Sequence, residues 1–354
     1  MLSLYLHIPF CKRKCAYCAF YSGPDGDREQ YTEALCRAIR QAGAAESRPL
    51  STLFLGGGTP ALLGAENLQK LLKTVHTSFS LEKNAEITVE LNPESTTPAL
   101  LQALKEAGIN RISMGVQSLK DRELQTLGRL HSSAEALAAL QRIFDAGFTN
   151  VSVDVMFGLP GQTPAGFEQT LERLLSFPIT HLSAYALQLE EGTPLGDAAE
   201  AMEEEQEEAL WQLLCRKTAA AGMEHYEISN FARPGFESRH NLAYWRRTDY
   251  IGLGPAAHSF WKGARYAYPE DLESFCAAPW PLRDSQPIGE AEAREEQIML
   301  GLRTFEGIPL SLLPKGFDPR RYRDFSYLKN EHFILNERGF YLANSIISDI
   351  LSKE

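Results

Sequence analysis

The first 190 residues alternate between two hydropathy patterns. Short apolar runs, LSLYLHI (2–8), STLFLGG (51–57), AEITVEL (85–91), NRISMGV (110–116), NVSVDVMFG (150–158) and THLSAYALQ (180–188), read as strands. Between them the apolar positions take helical spacing, near 27–45, 65–79, 97–107, 133–146 and 164–176. Strand–helix units recurring at about 30 residues predict an α/β fold with a parallel sheet and right-handed crossovers. The runs are rich in Val, Ile and Leu, as expected of strands buried on both faces.

Beyond residue 195 the rhythm breaks. EEEQEEALWQLLCRKTAAAG (203–222) reads as one amphipathic helix with an acidic first turn, its acid run a solvated face. Residues 226–268 are loop-rich, Pro and Gly thicken into a linker over 279–289, and 290–308 restarts a helix. The end of the chain reads as a hairpin turning at Glu337-Arg338-Gly339, then a terminal helix. Three segments are therefore expected: a core over 1–230, a loop-rich extension over 231–285, and a small helical domain with a β wing over 286–354.

Composition narrows the class. Hydrophobic residues are 44% and charged residues 23% of 354, ordinary for a globular chain with a large core. The net charge of −11 argues against nucleic acid as a partner, since phosphate binding needs a basic surface. Met1 to Phe10 is apolar but lacks the basic start of a signal peptide, and no stretch reaches the roughly 20 apolar residues of a membrane span. A cytoplasmic location is expected.

Cysteine placement is uneven. Cys11, Cys15 and Cys18 fall in HIPFCKRKCAYCAFYS (7–22), spaced C-x3-C-x2-C, while Cys36, Cys215 and Cys276 stand alone and read as small buried hydrophobes. A zinc finger would bring a second ligand pair, and none follows at useful spacing. A compact trio of thiolates suits a cubane iron–sulfur cluster and leaves one iron open for a small chelating molecule. A loop of three cysteines without metal, or a zinc site, is the alternative.

Other chemistry-bearing residues recur just after the strands. GGGTP (56–60) holds Gly57, Gly58 and Thr59, where absent side chains let backbone approach a ligand. Glu90, Gln117, Arg129 and Asp154 follow at or beyond later strand ends, where a βα barrel builds its active site. Each alone is also what a surface ion pair or strand-end cap looks like. Together they offer carboxylates for ribose hydroxyls or an ammonium, and a guanidinium for a carboxylate.

At this point the sequence resembles a known family. C-x3-C-x2-C after a first strand, with aromatic Tyr17 before the last cysteine, resembles the radical S-adenosylmethionine (SAM) superfamily. LYLHIPFCKRKCAYC, LFLGGGTPALL, RISMGVQS, DVMFGLPGQT and NERGFYLAN are similar to its branch of oxygen-independent coproporphyrinogen III oxidases and HemW-type heme chaperones, over nearly the whole chain. The resemblance implies a partial (β/α)6 barrel with a C-terminal helical domain. It implies a [4Fe-4S] cluster on Cys11, Cys15 and Cys18, with SAM on the open iron and contacted by Tyr5, Gly57, Gly58, Thr59, Glu90, Gln117, Arg129 and Asp154. Reductive SAM cleavage would give a 5′-deoxyadenosyl radical.

Two departures separate the branches. The oxidases resemble C-x3-C-x2-C-x-C, whereas this chain has Phe20 at the fourth position. They also carry a segment ahead of the first strand, which here opens at residue 2. RHNLAYW (239–245) resembles the H-N-x-x-Y-W element of the chaperones, which implies His240 as a heme ligand, while a loop-capping histidine is the plain alternative. The expectation is a chaperone that binds heme and hands it to acceptor proteins, respiratory and membrane-associated ones among them. Oxidase activity is the second reading.

Overall fold

The computed structural model describes residues 1–280 and 285–352. Six parallel strands carry the first half: β1 (Ser3–Ile8), β2 (Leu50–Gly57), β3 (Leu81–Leu91), β4 (Arg111–Gln117), β5 (Val151–Phe157) and β6 (His181–Ala186). Helices α1 (Arg28–Ala45), α2 (Ala65–Ser78), α3 (Pro98–Glu106), α4 (Asp121–Thr126), α5 (Ser133–Asp145) and α6 (Pro164–Leu175) connect them. Their starts follow local chemistry. Asp27 caps α1 by accepting from the amides of Glu29 and Gln30, and Ser132 with Glu135 forms a capping box on α5.

The strands differ from the two-sided apolar runs expected. Leu4, Leu6, Leu53, Leu55, Ile87, Val89, Ile112, Met114, Val153 and Val155 join one core with the helices, which is the apolar face. The alternate positions are polar: Tyr5, His7, Thr52, Glu86, Glu90, Arg111, Ser113, Ser152, Asp154 and His181. The period of two survives because this other face lines the concave interior of an open, partial barrel rather than a second apolar layer. Thr88 and Arg111 reach full burial there, and Thr88 Oγ1 and Arg111 Nε have no partner among the described residues.

The loop-rich stretch of the second half gives regular structure. After α7 (Glu204–Ala220) come β7 (Glu224–Glu227), β8 (Asn230–Ala232), α8 (Arg239–Trp245), β9 (Tyr250–Leu253), β10 (His258–Trp261), β11 (Ala264–Ala267), α9 (Leu272–Ala277) and β12 (Gln286–Pro287). The sheet order is β12-β11-β10-β9-β1-β2-β3-β4-β5-β6-β8-β7, so these strands extend both edges of the parallel sheet. Each has two to four residues, too short for a clear hydropathy period. Of the expected linker over 279–289, residues 281–284 lie outside the described residues and Gln286–Pro287 pairs with β11.

The C-terminal part holds α10 (Glu290–Gly301), β13 (Ile308–Pro309), β14 (Ser326–Lys329), β15 (His332–Leu335), α11 (Glu337–Tyr341) and α12 (Ala343–Leu351). The hairpin turn expected at Glu337-Arg338-Gly339 is instead Asn330-Glu331, both at positive φ (49° and 61°). Asn336 accepts from the amide of Gly339 and caps α11, which turns the expected hairpin tip into a helix. The amides of Ile228 and Phe305 bond to Arg303 and Tyr226 carbonyls, latching this part to β7. Among the described residues no helix is long and apolar enough to cross a membrane.

Candidate functional site

The cysteine loop follows β1 and is fastened on both sides. The amide of Cys11 donates to the Gly23 carbonyl at 2.9 Å, and that of Ala16 to Leu127 at 3.0 Å. The Arg13 guanidinium reaches the Gly128 carbonyl at 2.8 Å, tying the loop to the turn before α5. Cys11, Cys15 and Cys18 are free and half-buried. Burial, then its neighbour Cys15 and Cys11 thiolates, push the Cys18 thiol up, with the Phe20 amide opposing.

The glycines after β2 are shaped by what lies behind them. Gly57 has φ +104°, and a Cβ there would sit 2.5 Å from the His7 ring. A Cβ on Gly58 would sit 2.5 Å from the Phe10 carbonyl. The amides of Gly58 and Thr59 bond to the Ile8 and Phe10 carbonyls at 2.8 and 2.7 Å, so this loop and the cysteine loop are one backbone unit. His7 lies between them. The Tyr21 carbonyl accepts from its Nε2 at 2.9 Å, which leaves Nδ1 to accept from the Tyr5 hydroxyl, also at 2.9 Å.

Glu90 and Asp154 lie on the same inner face, on β3 and β5 with β4 between them. Glu90 Oε2 accepts from the Gly57 amide at 3.0 Å, and Asp154 Oδ1 from the Ser113 hydroxyl at 3.1 Å. Burial first, and Asp154 second, raise Glu90 from the ordinary 4.5 to about 7. Burial likewise raises Asp154. Two carboxylates that resist ionisation in a shared cavity are poised for a cation. Gln117 ends β4 at φ +66°, a strained conformation of the kind kept at ligand sites.

Arg129 reaches back from the turn after α4. Its Nη1 donates to Cys15 Sγ at 3.5 Å, and its Nη2 to Asn92 Oδ1 at 2.6 Å and the Gly115 carbonyl at 2.7 Å. Its Nε has no partner among the described residues. The cysteine trio, Gly57 to Thr59, Glu90, Gln117 and Arg129 thus lie at or beyond the C-terminal strand ends, while Tyr5 and Asp154 sit mid-strand on the same inner face. Asn92, His7 and Ser113 belong to the same network and were not singled out from sequence. The signal was available for two of them, since His7 and Ser113 hold inward positions of the strand alternation.

His240 lies deeper in the interior, bonded to Thr52 near the start of β2, with its ring 6.4 Å from that of Tyr5. It is 1% exposed, its ring stacks on Phe54 at 5.0 Å, and both nitrogens are engaged. Nδ1 meets the Thr52 hydroxyl at 2.7 Å and Nε2 the Tyr244 hydroxyl at 2.8 Å. Burial lowers its pKa to about 3. Of the other histidines, His131 is held between Glu94 and the Val116 carbonyl, as a structural residue is.

The placement of the thiols can be set against what an iron–sulfur cluster needs. Three half-buried thiols along one loop, two of them with hydrogen-bond donors on sulfur, suit a cluster whose iron corners are spread.

Comparison with known proteins agrees. The Radical SAM superfamily pattern matches residues 5–174. Heme chaperone HemW of Bacillus subtilis is 36% identical over 87% of this chain and 85% of its own length. Heme chaperone HemW of Mycobacterium tuberculosis (strain H37Rv) is 34% identical over 98% and 94%, and that of Escherichia coli 37% over 73% and 69%. The solved structure of the E. coli radical SAM enzyme coproporphyrinogen III oxidase (HemN) superposes with a TM-score of 0.85 over 98% of this chain and 89% of that one, at 22% identity, which establishes the fold. Identity of this order, sustained from the first strand to the C-terminal helices, means that the chain belongs to the heme chaperone HemW family of the radical SAM superfamily.

Proposed function

We propose that this chain is a heme chaperone that binds heme and passes it to acceptor proteins. Cys11, Cys15 and Cys18 hold a [4Fe-4S] cluster with SAM on its open iron. The observation that carries this reading is the kinship with HemW proteins along nearly the whole chain, joined to Phe20. That side chain stands 69% exposed where the oxidases resemble a further cysteine.

The residues divide the work by chemistry. Gly57, Gly58 and Thr59 offer close backbone to the SAM methionine moiety, and Arg129 a guanidinium for its carboxylate. Glu90 and Asp154 supply negative charge for its ammonium and ribose hydroxyls. Tyr5 and Gln117 complete the pocket. The bound cluster and SAM would supply one-electron cleavage chemistry. Heme ligation by His240 carries a condition, because either the Thr52 or the Tyr244 hydrogen bond must break first.

Coproporphyrinogen III oxidase activity is the second reading, favoured by the fold shared with that enzyme. Anaerobically reconstituted protein, given SAM, a reductant and coproporphyrinogen III, separates them. The chaperone reading expects stoichiometric heme binding and no protoporphyrinogen. Sustained turnover to protoporphyrinogen overturns it.

A further inference from the structure

A continuous hydrogen-bonded chain links two of the three cysteine sulfurs, and its middle member has no role in the reading above. Thr59 Oγ1 donates to Cys11 Sγ at 3.9 Å. Asn92 Nδ2 donates to Thr59 Oγ1 at 2.9 Å. Asn92 Oδ1 accepts from Arg129 Nη2 at 2.6 Å, and Arg129 Nη1 donates to Cys15 Sγ at 3.5 Å. The backbone of Asn92 is fixed independently. Pro93 follows it, the Asn92 carbonyl accepts from the Ser95 and Thr96 hydroxyls at 2.8 and 2.9 Å, and the Asn92 amide donates to the Ser95 hydroxyl oxygen at 3.3 Å. Gly115 leaves room for it, since a Cβ there would sit 3.2 Å from Asn92 Oδ1.

The direction of these bonds is forced. A guanidinium only donates, so the amide must turn its oxygen to Arg129 and its nitrogen to Thr59. Thr59 then accepts from Asn92, and its single proton is left for Cys11. An aspartate of the same shape would do the opposite. It would accept the Thr59 proton, withdraw it from Cys11, and place a negative charge between the two sulfurs.

We propose that Asn92 is a positioning residue that sets the reduction potential of the cluster by orienting the Thr59 hydroxyl onto Cys11 and the Arg129 guanidinium onto Cys15. Hydrogen bonds to cluster sulfurs and nearby net charge are the protein's main controls on such potentials. The proposal rests on the cluster assignment made above.

The test is a potentiometric titration of the full-length protein, reconstituted anaerobically and read by electron paramagnetic resonance, with iron content measured alongside. Asn92→Asp is expected to make the potential more negative, by at least a tenfold change in the oxidised-to-reduced ratio, about 59 mV for one electron. Thr59→Val is expected to shift it the same way, and Thr59→Ser to restore it. An unshifted potential in Asn92→Asp with its iron complete overturns the proposal. If Asn92→Asp loads no iron, the Thr59 pair decides: Val and Ser giving the same potential overturns it. A wild-type protein that takes up no four-iron cluster defeats the cluster assignment itself, a different outcome from any of these.

Discussion

Replacing Glu90 with glutamine should stabilise the metal-free protein at neutral pH, although Glu90 is proposed to bind SAM. Burial and the facing Asp154 raise this carboxyl from 4.5 to about 7, so the native state holds its proton more tightly than the unfolded chain does. A raised carboxyl adds no penalty while both states are protonated, below about pH 4.5. As pH climbs from 4.5 to 7, the unfolded chain ionises and the native state cannot follow. Native stability then falls by about 1.4 kcal/mol per pH unit, and above pH 7 the loss is constant. Over that interval of two and a half pH units the burden reaches about 3 kcal/mol.

Glutamine carries no charge, and its oxygen can still accept from the Gly57 amide. Urea unfolding of both proteins at pH 5, 6, 7 and 8 checks the reasoning. The variant's advantage should be smallest at pH 5 and level off above pH 7. Asp154→Asn, which removes the second cause, should move that plateau to lower pH. A difference between Glu90→Gln and wild type that does not change with pH refutes the account. The same charge should favour the cation: wild type should bind SAM more tightly relative to Glu90→Gln as pH rises towards 7, measured by calorimetry.

Three further outcomes follow from single contacts. Gly57→Ala must move the His7 ring from a positive-φ position, so it should cost about 1–3 kcal/mol and weaken SAM binding, both readable by thermal shift with and without SAM. Tyr31→Phe keeps the edge-on packing with Phe10 but removes a buried hydrogen bond to the His7 carbonyl, costing about 1–3 kcal/mol in urea unfolding. Tyr244→Phe frees His240 Nε2, so heme binding should tighten in an absorbance titration if His240 ligates heme, and an unchanged titration removes His240 from that role.

Sequence alone was enough for the six-unit parallel architecture, because each apolar run and each helical stretch is long enough to show its period. It also singled out the cysteine trio as a candidate, since its thiols lie within eight positions on one loop. Glu90 and Gln117 stood out as candidates because a parallel sheet puts strand ends on the same rim, whereas Asp154 proved to sit mid-strand. Short strands β7 to β12 were not, since two to four residues carry no measurable alternation and their pairing is decided by edges made elsewhere. The hairpin was misplaced because the glycine of Glu337-Arg338-Gly339 resembles a turn, while the cap from Asn336 to Gly339 that makes a helix is visible only in three dimensions.

The tertiary structure decided what the inward strand positions mean. Polar side chains at every second residue are ambiguous in a sequence, because solvent and a lined cavity demand the same pattern. Only the folded sheet, with helices against its other face, buries Glu90 and Asp154 on one inner face and raises both. Folding also decided the surroundings of His240, which the resemblance implied as a heme ligand. Packing against Phe54 and bonds to Thr52 and Tyr244, 188 and 4 residues away, bury it. Asn92 is the clearest case: its partners Thr59 and Arg129 lie 33 and 37 residues away on either side, and no local pattern announces a bond between them.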